Sequence, residues 1–324
     1  MALDVEDLRV SFATRSGWLR AVDGVSFSVG SGETLVIVGE SGCGKSATVR
    51  SLMGLAKGAH VTGTARLGAV DLLDPRASSR VRGSRISMVF QDPMTTLNPV
   101  LRIGEQLAET MVHHRVAGRV AARRRSLDLL DEVRIRDPRR VARSYPHQLS
   151  GGMRQRVVIA MALACGPEII LADEPTTALD VTVQAQILDL LLTVQQRHST
   201  GLVLITHDMG IARVTATKVI VMYAGQVVES GTAAQVLQSP GHPYTAALMQ
   251  CLPRMHGPDP RHRRLRTITG SPPNLATEPE GCRFAARCPL GAVGDRCFDA
   301  REPIALRELA EGHLVRTLHG QDDD

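Results

Sequence analysis

The chain has 324 residues, 43% hydrophobic and 22% charged, enough to bury a sizeable core in one large domain or two modest ones. Aromatic residues make up only 3%, which argues against a base-stacking surface for single-stranded nucleic acid, and six cysteines without a visible leader argue against a disulfide framework. The net charge of +5 is mild, and nearly all of it comes from arginine, since Lys45, Lys57 and Lys218 are the only lysines.

The opening "MALDVEDLRV" has no basic start followed by an apolar run. The longest apolar stretch, 157–165, falls far short of the roughly 20 residues a membrane span needs. The expectation is an intracellular chain that reaches a membrane only through a partner. Residues 3–12 and 20–29 read as strands, the second with Val25, Phe27 and Val29 alternating. "ETLVIVG" (33–39) reads as a buried strand entering a glycine-rich turn, and "KSATVRSLMGL" as a helix. "RISMVFQ" (85–91) is another strand. From 92 to about 146 the pattern is helical without strands, with "RRR" at 123–125 read as a solvated helix face. A further helix follows "LSGG" at 149–152. Strand character returns at 169–174, 202–207 and 218–223, with helical "VQAQILDLLLTVQQR" between the first two. This alternation predicts an α/β core with a parallel sheet buried on both faces. Beyond about 232 the chain is rich in Pro, Gly, Arg and Cys and reads as a loop-like appendage.

Several stretches carry chemistry. "GESGCGKS" (39–46) fits G-x-x-x-x-G-K-[ST] between a strand and a helix. Gly39, Gly42 and Gly44 let the backbone close around phosphate oxygens, with Glu40, Ser41 and Cys43 in the same loop. Lys45 reaches the β- and γ-phosphates and the Ser46 hydroxyl ligates Mg²⁺. Cys43 reads as a small side chain rather than a catalyst. "IILADEP" ends an apolar strand in two acids. Asp173 suits a Mg²⁺ role and Glu174 that of general base for an attacking water. Adjacent acids at a strand end are otherwise a solvated turn; the phosphate loop in the same chain tips the reading. Gln91 and His207 also end apolar strands, and polar groups there fit ligand binding at the carboxyl ends of a parallel sheet. "LSGG" opens a helix with Ser150, Gly151 and Gly152, and unsatisfied amides with a positive dipole end favour an anion.

The set "GESGCGKS", "FQ", "LSGG", "ILADEPT", "ALD" and "ITHD", in this order, resembles the ATP-binding subunit of ABC transporters. The resemblance implies a P-loop NTPase core over 1–235, with an N-terminal antiparallel β subdomain and an inserted helical subdomain at about 92–160. A small appendage then spans 236–324. It further implies that Gln91 touches Mg²⁺ and the transmembrane partner, that Ser150–Gly152 are the signature motif, and that 178–180, with Asp180, are the dimer-contact loop. His207 becomes the γ-phosphate switch, and Phe12 stacks on adenine, with Trp18 as runner-up. The anion on "LSGG" would be the γ-phosphate of an ATP bound to a second ATPase chain, identical or paralogous.

"FQDPMTTLNPVLRIGEQLAE", the Met after "LSGG", "SPGHPYTAALMQCLPR" and the tail 270–289 resemble oligopeptide/dipeptide importer ATPases, with nickel importers of the same subfamily close behind. This implies ATP and Mg²⁺ as cofactors, two permease subunits and an extracytoplasmic solute-binding protein as partners, no nucleic acid, and a place on the cytoplasmic membrane face. A soluble ABC ATPase acting on nucleic acid or ribosomes is the rival; such proteins carry two ATPase domains or a long coiled coil, and neither is visible here. Cys282, Cys288 and Cys297 resemble part of a four-cysteine element that holds [4Fe–4S] in some members. The fourth position falls at Thr317, a departure that sets the cluster against buried or free thiols. His313, His319 and Cys251 are the candidate substitutes.

Overall fold

The computed structural model describes residues 2–15, 17–177, 179–251, 267–276, 281–290, 297–298 and 304–318. They divide into two compact units that interleave along the chain.

The first unit takes residues 1–4, 28–34 and 65–205. Its sheet is built from β6 (Ile86–Val89), β7 (Ile169–Asp173) and β8 (Gly201–Thr206), with β7 between the other two and every pairing parallel. Each residue of "ISMV", "IILAD" and "GLVLIT" is buried, as expected of strands covered on both faces. The pairing runs Val89 against Ala172 and Asp173 against Ile205, so the carboxyl ends of these strands lie level.

The 92–160 region is helical as read. It contains α3 (Pro93–Thr96), α4 (Ile103–His113), α5 (Arg119–Glu132), α6 (Pro138–Arg143) and α7 (Gly151–Leu163). On α5, Ala122, Ser126, Leu129 and Leu130 are buried while Arg123, Arg124 and Arg125 face solvent. The arginine run is therefore the solvated face expected of it. Short polar residues start three of these helices. Asp92, Asp137 and Ser150 each accept a backbone N–H of the first turn. Asp180 does the same for α8 (Val181–His198).

The second unit takes residues 5–27, 35–64 and 206–324. It holds most of β1 (Leu3–Thr14), β2 (Gly17–Val29) and β4 (Ala59–Leu67), in the order β2-β1-β4; the last residues of β4 pair antiparallel with β5 (Val70–Asp71). β3 (Thr34–Val38) pairs parallel with β9 (Lys218–Tyr223), and β10 (Gln226–Thr232) returns antiparallel to β9. α1 (Lys45–Leu52) follows the phosphate loop and α9 (Met209–Thr215) follows His207.

The tail differs from the loop-like expectation. Residues 233–251 form α10 (Ala233–Gln238) and α11 (Pro243–Cys251), and β12 (His313–Val315) pairs antiparallel with β10, with β11 (Arg307–Ala310) beyond it. Two devices lock this in. Thr232 and Gln235 cap α10 reciprocally. Glu229, fully buried on β10, accepts the backbone N–H groups of Gly241 and His242 at 2.8 and 2.9 Å and meets His313 Nε2 at 2.8 Å. A buried carboxylate needs such partners, and they lie too far along the chain to be read as a local pattern.

Candidate functional site

The phosphate loop lies in the second unit. Gly39, Gly42 and Gly44 have φ of 152°, 81° and 105°, conformations that L side chains rarely adopt. A Cβ at Gly39 would strike the Met222 carbonyl, and one at Gly44 the Ala21 carbonyl. The loop thus needs glycine both for its turn and for close backbone contact. Lys45, 4% exposed, donates from Nζ to the carbonyls of Gly39 (2.7 Å) and Glu40 (2.9 Å) and lies 3.8 Å from Cys43 Sγ. Cys43 is buried, and burial pushes its thiol pKa above the usual value, in keeping with a small packing residue. Ser46 sits in the first turn of α1.

A cavity of about 290 Å³ borders this loop. Its lining includes Leu19, Glu40, Ser41, Gly42, Cys43 and Tyr223, and from the appendage Pro272, Pro273, Asn274 and Leu275. Phe12 and Trp18 are not among the lining residues. Phe12 is half-buried on β1. Trp18 is 57% exposed, with its ring centroid 6.1 Å from that of His60.

The acids lie in the first unit. Asp173 is fully buried as the last residue of β7. Glu174 takes φ of 47°, a left-handed conformation for a non-glycine residue, which costs on the order of 1–3 kcal/mol unless its surroundings enforce it. They do. Its N–H donates to Ile205 O at 3.1 Å, its carbonyl accepts Thr177 N at 3.2 Å, and Oε2 accepts from Thr177 Oγ1 at 2.9 Å and Gln91 Nε2 at 3.4 Å. The structure therefore brings together Gln91 and Glu174, two of the sequence-predicted residues of this unit. Thr177 was not anticipated; its signal was a hydroxyl three residues after the acid.

Ser150 caps α7, its Oγ accepting from Met153 N at 3.3 Å. Gly151 is exposed, and a Cβ on Gly152 would press on Val183 of α8, so the second glycine is also a packing requirement. Asp180 Oδ1 accepts from Val183 N at 3.0 Å. Residue 178 of the same loop lies outside the described residues. His207 follows β8 and is exposed.

The tail residues do converge. Cys282, Cys288, Cys297 and Thr317 line one cavity of about 10 Å³, with His242 and Phe284. That is room for about one water. Burial raises the pKa of both Cys282 and Cys288. Three thiols and a hydroxyl around so small a space do not fit a four-thiolate iron–sulfur cluster, and among the described residues no group of three or more His, Cys, Asp or Glu is arranged to hold a metal ion. His313 does not substitute, because it is turned to Glu229. Cys251, on α11, does not line the cavity, and His319 lies outside the described residues.

Residues 22–177 match the ABC transporter family model, and 228–297 match the model of the oligopeptide/dipeptide transporter C-terminal region. The chain is 50% identical over 292 residues to the dipeptide transport ATP-binding protein DppD of Bacillus subtilis, covering 89% of this chain and 86% of that one. It is 47% identical to the oligopeptide transport ATP-binding protein OppD of Salmonella typhimurium, with the same coverage.

The chain belongs to the ABC transporter ATP-binding subunits of the oligopeptide/dipeptide type.

Such a subunit is an ATPase. Among solved structures, a dimeric ATP-binding cassette in a post-hydrolysis state, bound to ADP and Pi, matches with TM-score 0.64 and 28% identity over 71% of this chain and 98% of that one. A subunit from Clostridium perfringens, described as part of the ABC transporter complex cbiONQ, matches at 0.63 and 27%, over 74% and 91%. Among the described residues of this subunit no helix is long and apolar enough to cross a membrane.

Proposed function

We propose that this ATPase powers the import of dipeptides or oligopeptides, working on the cytoplasmic face with two permease subunits, a second ATP-binding chain and an extracytoplasmic solute-binding protein. One observation carries the choice of peptide. The match continues past the ATPase region into 228–297, which fits the model of the oligopeptide/dipeptide transporter C-terminal region.

In this reading the amides of 39–46 hold the triphosphate, and Lys45 trades its two loop carbonyls for β- and γ-phosphate oxygens. Ser46, Asp173 and Gln91 offer hydroxyl, carboxylate and amide oxygens, a donor set that suits Mg²⁺, which neutralises phosphate charge when bound. Glu174 takes the proton of the attacking water, its carboxylate aimed by Thr177 and Gln91. His207 senses the γ-phosphate and Phe12 packs on adenine. Ser150, Gly151 and Gly152 receive the γ-phosphate of ATP held by the partner chain, with Asp180 at the contact between chains.

The test is reconstitution of the full transporter in proteoliposomes with the ATPase activity followed. Stimulation by peptide-loaded binding protein is expected. Stimulation by a nickel-loaded binding protein and not by peptide would overturn the substrate assignment. A Ser150→Arg variant should keep ATP binding in the isolated chain and lose ATP-driven association and turnover. Loss of ATP affinity in that isolated chain would overturn the two-chain site.

A further inference from the structure

Glu40 is an odd residue to find in a phosphate cradle, because its carboxylate adds negative charge where a triphosphate must sit. The second unit shows how that charge is managed. Arg287, from the cysteine-bearing segment 247 residues away, donates to both Glu40 oxygens, Nη1 to Oε2 at 2.8 Å and Nη2 to Oε1 at 2.9 Å. Its side chain is 5% exposed and that of Glu40 is 28%. The guanidinium is itself fixed. It lies 5.6 Å from the centroid of the Tyr223 ring, donates to Tyr223 Oη at 3.2 Å, and donates from Nε to the Thr269 carbonyl at 2.9 Å. A planar fork held this way suits a two-oxygen contact that an ammonium could not copy.

The rest of Glu40 is held as well. Its N–H donates to Tyr244 Oη at 3.0 Å, and its carbonyl is one of the two that accept Lys45. Tyr223, Tyr244 and Phe284 pack against one another in tilted and edge-to-face pairs at centroid distances of 4.7 to 5.3 Å, so both contacts rest on one buried aromatic cluster of the appendage and β9. One loop residue therefore has its amide, its carbonyl and its carboxylate each committed, two of them to residues more than 200 positions downstream.

We infer that Arg287 is a positioning residue for ATP binding: it neutralises and aims Glu40, and through it sets the affinity of the phosphate loop. The inference rests on the reading of that loop as the ATP site. The appendage is then part of the nucleotide machinery rather than a separate module.

The experiment is a thermodynamic cycle on the full chain, with ATP affinity measured by displacement of a fluorescent ATP analogue. Arg287→Met leaves an uncompensated carboxylate beside the triphosphate and should raise Kd about tenfold. Glu40→Gln removes the charge and should change Kd less than about threefold. The double variant should match Glu40→Gln, because an effect that travels through the carboxylate disappears with it. In the assembled transporter, Arg287→Met should raise KM for ATP and leave kcat within about twofold, while Arg287→Lys should fall between wild type and Met. An Arg287→Met Kd within twofold of wild type would overturn the inference, even with faster proteolysis of the tail, since the pair would then be only a tether. A double variant as weak as Arg287→Met or weaker would overturn it too. If Arg287→Met fails to fold, rescue of folding and of Kd by adding Glu40→Gln supports the inference, and absence of rescue overturns it. Failure of the wild-type chain to bind ATP would instead sink the nucleotide reading on which it stands.

Discussion

Glu174 and Glu40 are both carboxylates beside chemistry-bearing motifs, and they are held in opposite ways. Glu174 takes one partner, Thr177, from three residues further on, and its backbone is bent into a left-handed conformation that the strand end enforces. Glu40 takes Tyr244 and Arg287 from 204 and 247 residues away. The contrast separates two jobs. A side chain that must act on a water takes its shorter hydrogen bond from a local turn and a longer one from Gln91 at a neighbouring strand end, whereas a loop that must keep its shape is braced from outside by a bulky, buried cluster. Changes near Glu174 should therefore move turnover, and changes in the appendage should move nucleotide affinity.

The largest expected effect tests the first half of that contrast. Glu174→Gln keeps the shape and loses the base, so hydrolysis in the assembled transporter should fall by about 10²–10⁴. ATP affinity should stay near wild type, and the bound ATP should hold two chains together. Steady-state turnover beside an equilibrium titration checks both. Near-normal turnover would remove Glu174 from the role.

Thr177→Val is a smaller and sharper probe. It deletes the 2.9 Å hydrogen bond that aims Glu174 while leaving the acid in place. A hydrogen bond to a charged group contributes roughly 1.5–3 kcal/mol, and here only part of that reaches the transition state. Turnover should drop by roughly threefold to thirtyfold with KM for ATP nearly unchanged. A rise in KM with normal kcat would place Thr177 on the binding side and erase the division between the two regions.

The same contrast explains what could be read from the sequence. The glycine spacing of 39–46, the acids closing "IILADE" and the polar cap of "LSGG" are local requirements, and local requirements leave a pattern in consecutive residues. The parallel strands β6, β7 and β8 were legible for the same reason, since strands buried on both faces are continuous apolar runs. The tail was not legible. Its strand β12 is three residues long and becomes a strand by pairing with β10. The partners of Glu229, Glu40 and Asp23 are set by folding and not by spacing. Arg283 and Arg287 were in view throughout, next to Cys282 and Cys288, but nothing in "CRFAARC" points to the phosphate loop. The cysteines drew attention to metal chemistry, while the arginines between them make the contacts.

Asp23 provides the smallest effect and the finest test, because it anchors the same appendage through side-chain partners outside the phosphate loop. Its side chain is nearly buried and is paired with Arg283, Arg9 and Gln226. Burial pulls its pKa up, but Arg283, Gln226 and Arg9 together outweigh that and hold it below the usual value of 3.8. A carboxylate with a depressed folded pKa contributes stability above its unfolded value and loses it as pH falls through the folded one. Asp23→Asn should therefore cost about 1–2 kcal/mol at neutral pH, seen as a Tm lower by a few degrees. The gap between variant and wild type should begin to narrow as pH falls below about 4, where the unfolded carboxyl starts to take up a proton, and should close as pH falls through the lower folded pKa. ATP affinity should stay within about twofold of wild type throughout. If Asp23→Asn instead weakened ATP binding as strongly as Arg287→Met, the appendage would be acting on the nucleotide through its general stability, and the particular link from Arg287 through Glu40 would lose its support.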